Sequence, residues 1–312
     1  MKFAVIDLGS NSARMTIAER MSDGHFKEIV KRRVMTRLSE GMDHNLKETP
    51  MARTIGVLLD FKCEIDEHNA ETLALTTAAV RKAGNGPEFC ERVKRETGID
   101  FKIISGETEA YLDFQGVLSS ISQEKDFLIC DIGGGSCELI LVKDKKMAEK
   151  ISLPFGAMSL TDRHLRNKAW EIGVLDARAE VVEFLSSVPF KDLAKKLPII
   201  GLGGSAGALP ALFDIDKNAS INGYMLEIDK IKEKFDAISV LTTKERMEQY
   251  TLEIGRADTI CAGMLSIITL AKELSSPYLK VCTANLRDGI FSLLPEFLKN
   301  NPWSAENFLN YI

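Results

Sequence analysis

Residues Asp131-Ile132-Gly133-Gly134-Gly135-Ser136-Cys137-Glu138 join two short apolar runs, 127–130 and 139–142, that read as buried strands. Consecutive glycines let backbone N–H groups converge on one point, and Ser136 adds a hydroxyl donor, so a phosphate fits there without a cationic side chain. Asp131 and Glu138 flank the turn. Carboxylates repel a bare phosphate; beside a phosphate nest they make sense when a divalent metal or an attacking water lies between. A glycine-rich hairpin with two solvated acids explains the same residues, and this stretch alone does not separate the two readings.

A second copy of the plan stands near the start of the chain. Residues 3–6 form an apolar strand, Asp7-Leu8-Gly9-Ser10-Asn11-Ser12 a polar turn, and 14–19 an alternating strand. Asp7 aligns with Asp131, Gly9 with Gly133 and Ser12 with Ser136 at one offset, 131 minus 7 or 124 residues. Such a repeat predicts two similar α/β domains, about 1–124 and 125–312, facing each other across a cleft with one phosphate turn from each. The final helix is a candidate to pack back on the first domain. The phosphate-binding candidates are Gly9, Ser10, Asn11 and Ser12 in the first turn and Gly133, Gly134, Gly135 and Ser136 in the second. An extended segment follows both turns, whereas a dinucleotide-binding fold opens a helix there, and no G-x-x-x-x-G-K-[ST] run occurs.

The elements between the turns alternate strand and helix, which is the pattern of an α/β sheet. A helix is expected over 51–68 and a strand over 73–77; Arg81 follows that strand's end, where α/β folds put ligand-binding groups. Helix 87–97, strand 101–104 and helix 107–121 come next. Glu107 in the last of these complements the helix dipole, while Glu109 is placed to face the cleft as a base toward water. Beyond the central turn, strand 147–153, helices 158–166 and 176–188 and strand 198–201 lead to a third glycine turn. Gly203, Gly204 and Ser205 there open a helix, a geometry that can hold an anion, although close helix–sheet packing also calls for glycines. Helices over 227–241, 244–248 and 257–274, strand 279–282 and one or two final helices complete the chain.

Composition limits the alternatives. The chain has 312 residues, 45% hydrophobic and 27% charged, with a net charge of −5. That balance is globular and speaks against bulk nucleic-acid binding. The first residues enter a strand at once and meet Asp7, which is neither a signal peptide nor a membrane span, so a cytoplasmic protein with no membrane partner is expected. Six scattered cysteines without a C-x-x-C pair make zinc and disulfide frameworks poor readings, and the four histidines read as surface residues.

The chain resembles the exopolyphosphatase / guanosine pentaphosphate phosphohydrolase family, within the superfamily of actin, sugar kinases and heat-shock ATPases. The residues that carry the likeness are Asp7 to Ser12, Ser105-Gly106-Glu107-Thr108-Glu109-Ala110, Asp131 to Glu138, Ser152-Leu153-Pro154-Phe155-Gly156, Gly201 to Ser205, Arg256-Ala257-Asp258 and Leu286-Arg287-Asp288-Gly289. The resemblance implies two duplicated ribonuclease-H-like (actin-like ATPase) domains in a bacterial enzyme. It also implies Mg²⁺-dependent release of terminal phosphate from inorganic polyphosphate or from guanosine pentaphosphate. By the same likeness Glu109 matches the catalytic carboxylate, Glu138 a second acid that orients water or metal, and Arg81 and the two glycine turns the phosphate contacts; Mg²⁺ is expected near Asp131 and Glu138, the acids that flank the second turn. Ser205 stands where Thr is frequent and Gly207 where a basic residue is frequent, so a nucleoside or distal phosphate site at Gly203 to Ser205 departs from the pattern. A homodimer and a non-catalytic polyphosphate or nucleotide sensor stay open.

Overall fold

The computed structural model describes residues 1–121, 124–166, 168–213 and 221–312. They divide into two compact units, Met1–Ser119 with Asn285–Ile312, and Ser120–Ala284.

In the first unit β1 (Lys2–Leu8), β2 (Ala13–Arg20) and β3 (Phe26–Val34) form an antiparallel meander. Helix α1 (Glu48–His68) crosses to β4 (Glu71–Thr76), which pairs parallel with β1. A short α2 (Ala78–Lys82) and α3 (Gly86–Thr97) lead to β5 (Phe101–Ile103), parallel to β4, and then to α4 (Gly106–Ser120). The strand order is β3-β2-β1-β4-β5. Successive β1 side chains point to opposite faces: Ala4, Ile6 and Leu8 enter one apolar cluster with Leu58, Phe61 and Phe89, whereas Phe3 and Val5 enter another with Leu112.

The second unit repeats the arrangement. It contains β6 (Phe127–Ile132), β7 (Cys137–Lys143), β8 (Lys146–Leu153), α5 (Ala157–Leu160), a π-helical turn (Thr161–Leu165), α6 (Trp170–Ser186), α7 (Lys191–Ala194), β9 (Ile199–Leu202) and α8 (Gly203–Leu212). After these come β10 (Met225–Glu227), α9 (Ile228–Ser239), α10 (Thr243–Tyr250), α11 (Ile254–Glu273) and β11 (Tyr278–Val281). The order β8-β7-β6-β9-β11 has the same sequence of antiparallel and parallel pairings as the first sheet, with β10 added at the edge. Even the irregularity is repeated: the second strand of each meander slips register against the third, at Ile17/Ala18 and at Leu141/Val142, again at the 124-residue offset. Helix α11 is long and apolar enough to cross a membrane, but 89% of its most apolar window is buried inside the protein, as befits a core helix.

The chain then returns to the first unit as α12 (Leu286–Asn300) and α13 (Ala305–Tyr311). The second unit therefore ends at Ala284, not at the C-terminus. Leu286, Ile290, Leu294, Phe297 and Phe308 join the cluster of Phe3 and Val5, and this burial is what ties the segment there. A Cβ on Gly289 would stand 1.9 Å from the Leu112 carbonyl oxygen, so a glycine is needed for α12 to lie this close to α4.

Arg81 follows the end of β4 as expected, in the short helix α2. Two local expectations shift: the expected helix 158–166 is α5 followed by the π-helical turn, and α6 begins at Trp170, earlier than the apolar pattern indicated. Among the histidines, His164 is mostly buried and pairs with Glu180.

Candidate active site

In the first unit Leu8 pairs with Thr76 and Thr76 with Ile103, so the C-terminal ends of β1, β4 and β5 lie in one row. The turn after β1, Arg81 after β4 and Glu109 after β5 all follow from this row, the end of an α/β sheet where ligands bind. The turn is closed by Gly9 N–H donating to the Ser12 carbonyl at 3.0 Å. Two further amides fix its outer edge: Arg37 N–H donates to the Asn11 carbonyl (2.9 Å) and Ser39 N–H to the Ser10 carbonyl (3.1 Å). Because a trans peptide sets C=O and N–H on opposite sides, the N–H groups of Asn11 and Ser12 point away from that brace. Ser10 and Ser12 are buried.

Arg81 and Glu109 meet directly. Arg81 Nη1 donates to Glu109 Oε2 at 3.1 Å and to the Ile104 carbonyl at 2.8 Å. Glu109 sits in the first turn of α4, its side chain 13% exposed, so the carboxylate is sheltered yet reachable. Ser105 Oγ accepts from Thr108 N–H and fixes that turn.

In the second unit the same hairpin recurs with a different surround. Gly133 N–H donates to the Ser136 carbonyl at 3.0 Å. The first amides of α5 grip the turn: Ala157 N–H reaches the Gly133 carbonyl (2.8 Å), and Met158 and Ser159 N–H reach that of Gly134 (2.9 and 3.0 Å). The N–H groups of Gly134 and Gly135 consequently face away from α5. A Cβ on Gly156 would lie 2.5 Å from Gly134 C and 2.6 Å from Gly135 N, which is why the segment before α5 carries glycine there.

Asp131 and Glu138 are direct cross-strand partners in β6 and β7, a pairing that sets Cβ atoms about 5 Å apart. Glu138 is 1% exposed and accepts a 2.7 Å hydrogen bond from Ser152 Oγ, which offsets part of the cost of burying a carboxylate. Gly203, at φ +69°, rests on Asp131: a Cβ there would be 1.9 Å from Asp131 Oδ1. Gly204 similarly leaves room for the Arg256 guanidinium, whose Nη1 would be 2.2 Å from a Cβ. Ser205 is 2% exposed and donates to the Ile132 carbonyl at 2.9 Å, so its hydroxyl proton is committed to β6.

Thus the structure gathers Gly9 to Ser12, Arg81 and Glu109 in one unit, and Asp131, Gly133 to Ser136, Glu138 and Gly203 to Ser205 in the other. One residue escaped the sequence reading and another was given no role in it. Arg14 stands opposite Asp7 just as Glu138 stands opposite Asp131, and extending the repeat by two more residues reveals it. Arg256 had no signal beyond its motif, because its role is a close approach to a glycine distant in sequence.

The profile of the Ppx/GppA phosphatase family matches residues 17–297. The chain belongs to that family. It resembles the bifunctional 3-dehydroquinate synthase/phosphatase of Fusobacterium nucleatum with 36% identity over 218 residues, 65% of this chain and 32% of that protein. It thus spans about a third of that relative. Exopolyphosphatase 1 of Mycobacterium leprae is 27% identical over 313 residues, 93% of this chain and 88% of that protein. Among solved structures, the Aquifex aeolicus member of the Ppx/GppA family aligns with a TM-score of 0.76 and 32% identity over 97% of this chain and 99% of that one. An exopolyphosphatase from Cytophaga hutchinsonii aligns with a TM-score of 0.87 and 25% identity over 95% and 98%. The fold is the two-domain actin-like fold, and family membership makes this Ppx/GppA chain a phosphoanhydride hydrolase.

Proposed function

We propose that the chain is an exopolyphosphatase that removes the terminal phosphate of inorganic polyphosphate with water activated by Glu109. The observation that carries this reading is the Arg81–Glu109 pair beside the first phosphate turn. Arg81 orients the carboxylate and keeps it next to a cation suited to phosphate. Glu109 accepts a proton as the water oxygen attacks the terminal phosphorus, and the bridging P–O bond breaks to release a chain shorter by one phosphate. The N–H groups of Asn11 and Ser12 in the first turn hold phosphoryl oxygens, so positioning and electrostatics supply most of the acceleration.

The acids fit a magnesium ion. Among the described residues no group of three or more His, Cys, Asp or Glu forms a dedicated metal cage, but Mg²⁺ keeps several waters and needs only one or two protein carboxylates beside substrate phosphates. Asp131 and Glu138 are such a pair. When bound there, Mg²⁺ would neutralise charge on the phosphate oxygens.

Polyphosphate is preferred over guanosine pentaphosphate because the Ser205 hydroxyl is engaged with β6 and is not offered to a nucleoside. The exopolyphosphatase names of the mycobacterial and Cytophaga relatives support the same choice. General-base assistance contributes about 10²–10⁴-fold, so Glu109→Gln should lose that much kcat in a phosphate-release assay while still binding polyphosphate. Near-normal turnover in the variant removes Glu109 from the role. Faster release from guanosine pentaphosphate than from polyphosphate reverses the substrate assignment, and tight binding with no release under Mg²⁺ makes the chain a sensor.

A further inference from the structure

The second unit holds a cavity of about 510 Å³ that includes none of the glycine turns and neither of the paired acids. Its size is that of a small-molecule site. Part of its wall is the π-helical turn, a rare conformation found often where proteins bind or react.

The charge in this wall is unbalanced at one point. Arg246 is 7% exposed, and its guanidinium donates to three main-chain carbonyls, those of Ile238 (3.0 Å), Ala257 (3.3 Å) and Ser239 (3.3 Å). Among the described residues no carboxylate lies within ion-pair distance of it. The C-terminus of α9, which it caps, offers roughly half a negative charge, so a buried positive charge is left over. Buried charges ordinarily find a counter-charge. Of the two carboxylates in the wall, Asp258 is engaged by Arg166 at 2.8 Å, and Glu171 stands exposed in the first turn of α6. The cavity also presents Trp170, whose ring is held against Phe235 with centroids 6.4 Å apart and planes 28° apart. A fixed indole is a stacking surface for a planar ring.

We propose that this cavity binds a phosphate monoester carrying an aromatic ring, its anionic group against Arg246 and its ring against Trp170. Linear polyphosphate has no ring and is not its ligand. The site could serve a nucleotide or a simple aryl phosphate, and the two are told apart by titration.

The chain has two tryptophans, Trp170 and Trp303, so a Trp303→Phe protein reports on Trp170 alone. AMP, GMP, phenyl phosphate and orthophosphate are titrated against its fluorescence. Saturable quenching by at least one ring-bearing monoester with Kd below about 1 mM, without quenching by orthophosphate, is the expected result. AMP or GMP acting alone identifies a nucleotide site, and phenyl phosphate acting equally well identifies an aryl phosphate site. Arg246→Met should weaken binding at least ~10-fold, the size of one charge-assisted hydrogen bond. Because Arg246 also caps α9, Thr243→Glu provides a second test. It places a like charge in the wall at the first position of α10, where an acid favours the helix. This variant should keep its Tm and lose the same binding. No quenching by any ring-bearing monoester, or full binding in Thr243→Glu, overturns the proposal, and either result is independent of phosphate release.

Discussion

Gly9 N–H and Gly133 N–H each donate to the carbonyl of the serine three residues on, at 3.0 Å in both turns, yet the residues beside the two turns differ in sign. At the position opposite the aspartate of each first strand, the first unit carries Arg14 and the second Glu138. One strand further out, Arg33 is the neighbour of Arg14 and Ser152 the neighbour of Glu138. The backbone of the repeat, including its register slip, has been kept while one cross-strand site has changed charge. A phosphate nest with basic neighbours suits unneutralised phosphate, and one with acids suits phosphate that arrives with a cation. The braces differ too: loop amides of Arg37 and Ser39 in the first unit, and the start of a helix pressed through Gly156 in the second.

Glu138→Gln against Arg14→Gln tests the difference in sign most directly. Losing a preorganised group that acts in the transition state costs about 10²–10³ in kcat, and Glu138→Gln should show that loss, with a higher Mg²⁺ requirement. Arg14→Gln should instead raise KM for polyphosphate about 10-fold with kcat little changed, the pattern of lost uniform binding. Equal effects on kcat from the two variants would break the comparison.

A smaller effect sharpens the contrast between the braces. Gly156→Ala forces a methyl into main-chain atoms 2.5–2.7 Å away and should cost about 1–3 kcal/mol in thermal or denaturant unfolding. A Cβ at Gly9 meets only the Ser12 carbonyl oxygen at 3.7 Å, an ordinary contact, so Gly9→Ala should stay within about 0.5 kcal/mol. Matching losses would mean that the two turns are held alike.

Much of this was legible in the sequence because it is local or periodic. The strand–turn–strand repeat follows from glycines and alternating apolar residues, and a fixed offset between Asp7 and Asp131 is enough to infer duplication. Arg81 and Glu109 could be placed at strand ends, but their 3.1 Å contact could not, since it joins residues 28 apart on two different helices. The return of α12 and α13 to the first unit was only a candidate, because an amphipathic helix does not name the face it covers. The roles of Gly156 and Gly204 rest on atoms distant in the chain and have no local signature.

The smallest expected effect lies under the first turn's sheet, where the basic character extends into the core. Buried Arg287 donates to Thr16 Oγ1 on β2 at 3.0 Å, and burial first, then Arg14, lowers its proton affinity. Next to it Asp288 accepts from Asn285 N–H at 2.8 Å in the capping box of α12, and burial raises its pKa above the usual 3.8 despite the nearby guanidinium. Below that value both folded and unfolded chains hold the proton. As pH rises through it, the unfolded chain ionises first, so the stability that protonated Asp288 contributes is lost up to its higher folded value. Asp288→Asn keeps an acceptor oxygen for the cap but has no proton to lose. Its Tm relative to the parent should therefore climb as pH rises above about 4 and level off once the raised folded-state value is passed. Carboxylates held below their usual range elsewhere, such as Asp126 through its bond from Asp144 N–H, give the opposite slope in both proteins and cancel in the difference. Parallel Tm curves for parent and variant would mean that burial does not penalise the Asp288 charge, and the distinct electrostatics of the first unit would then end at Arg14.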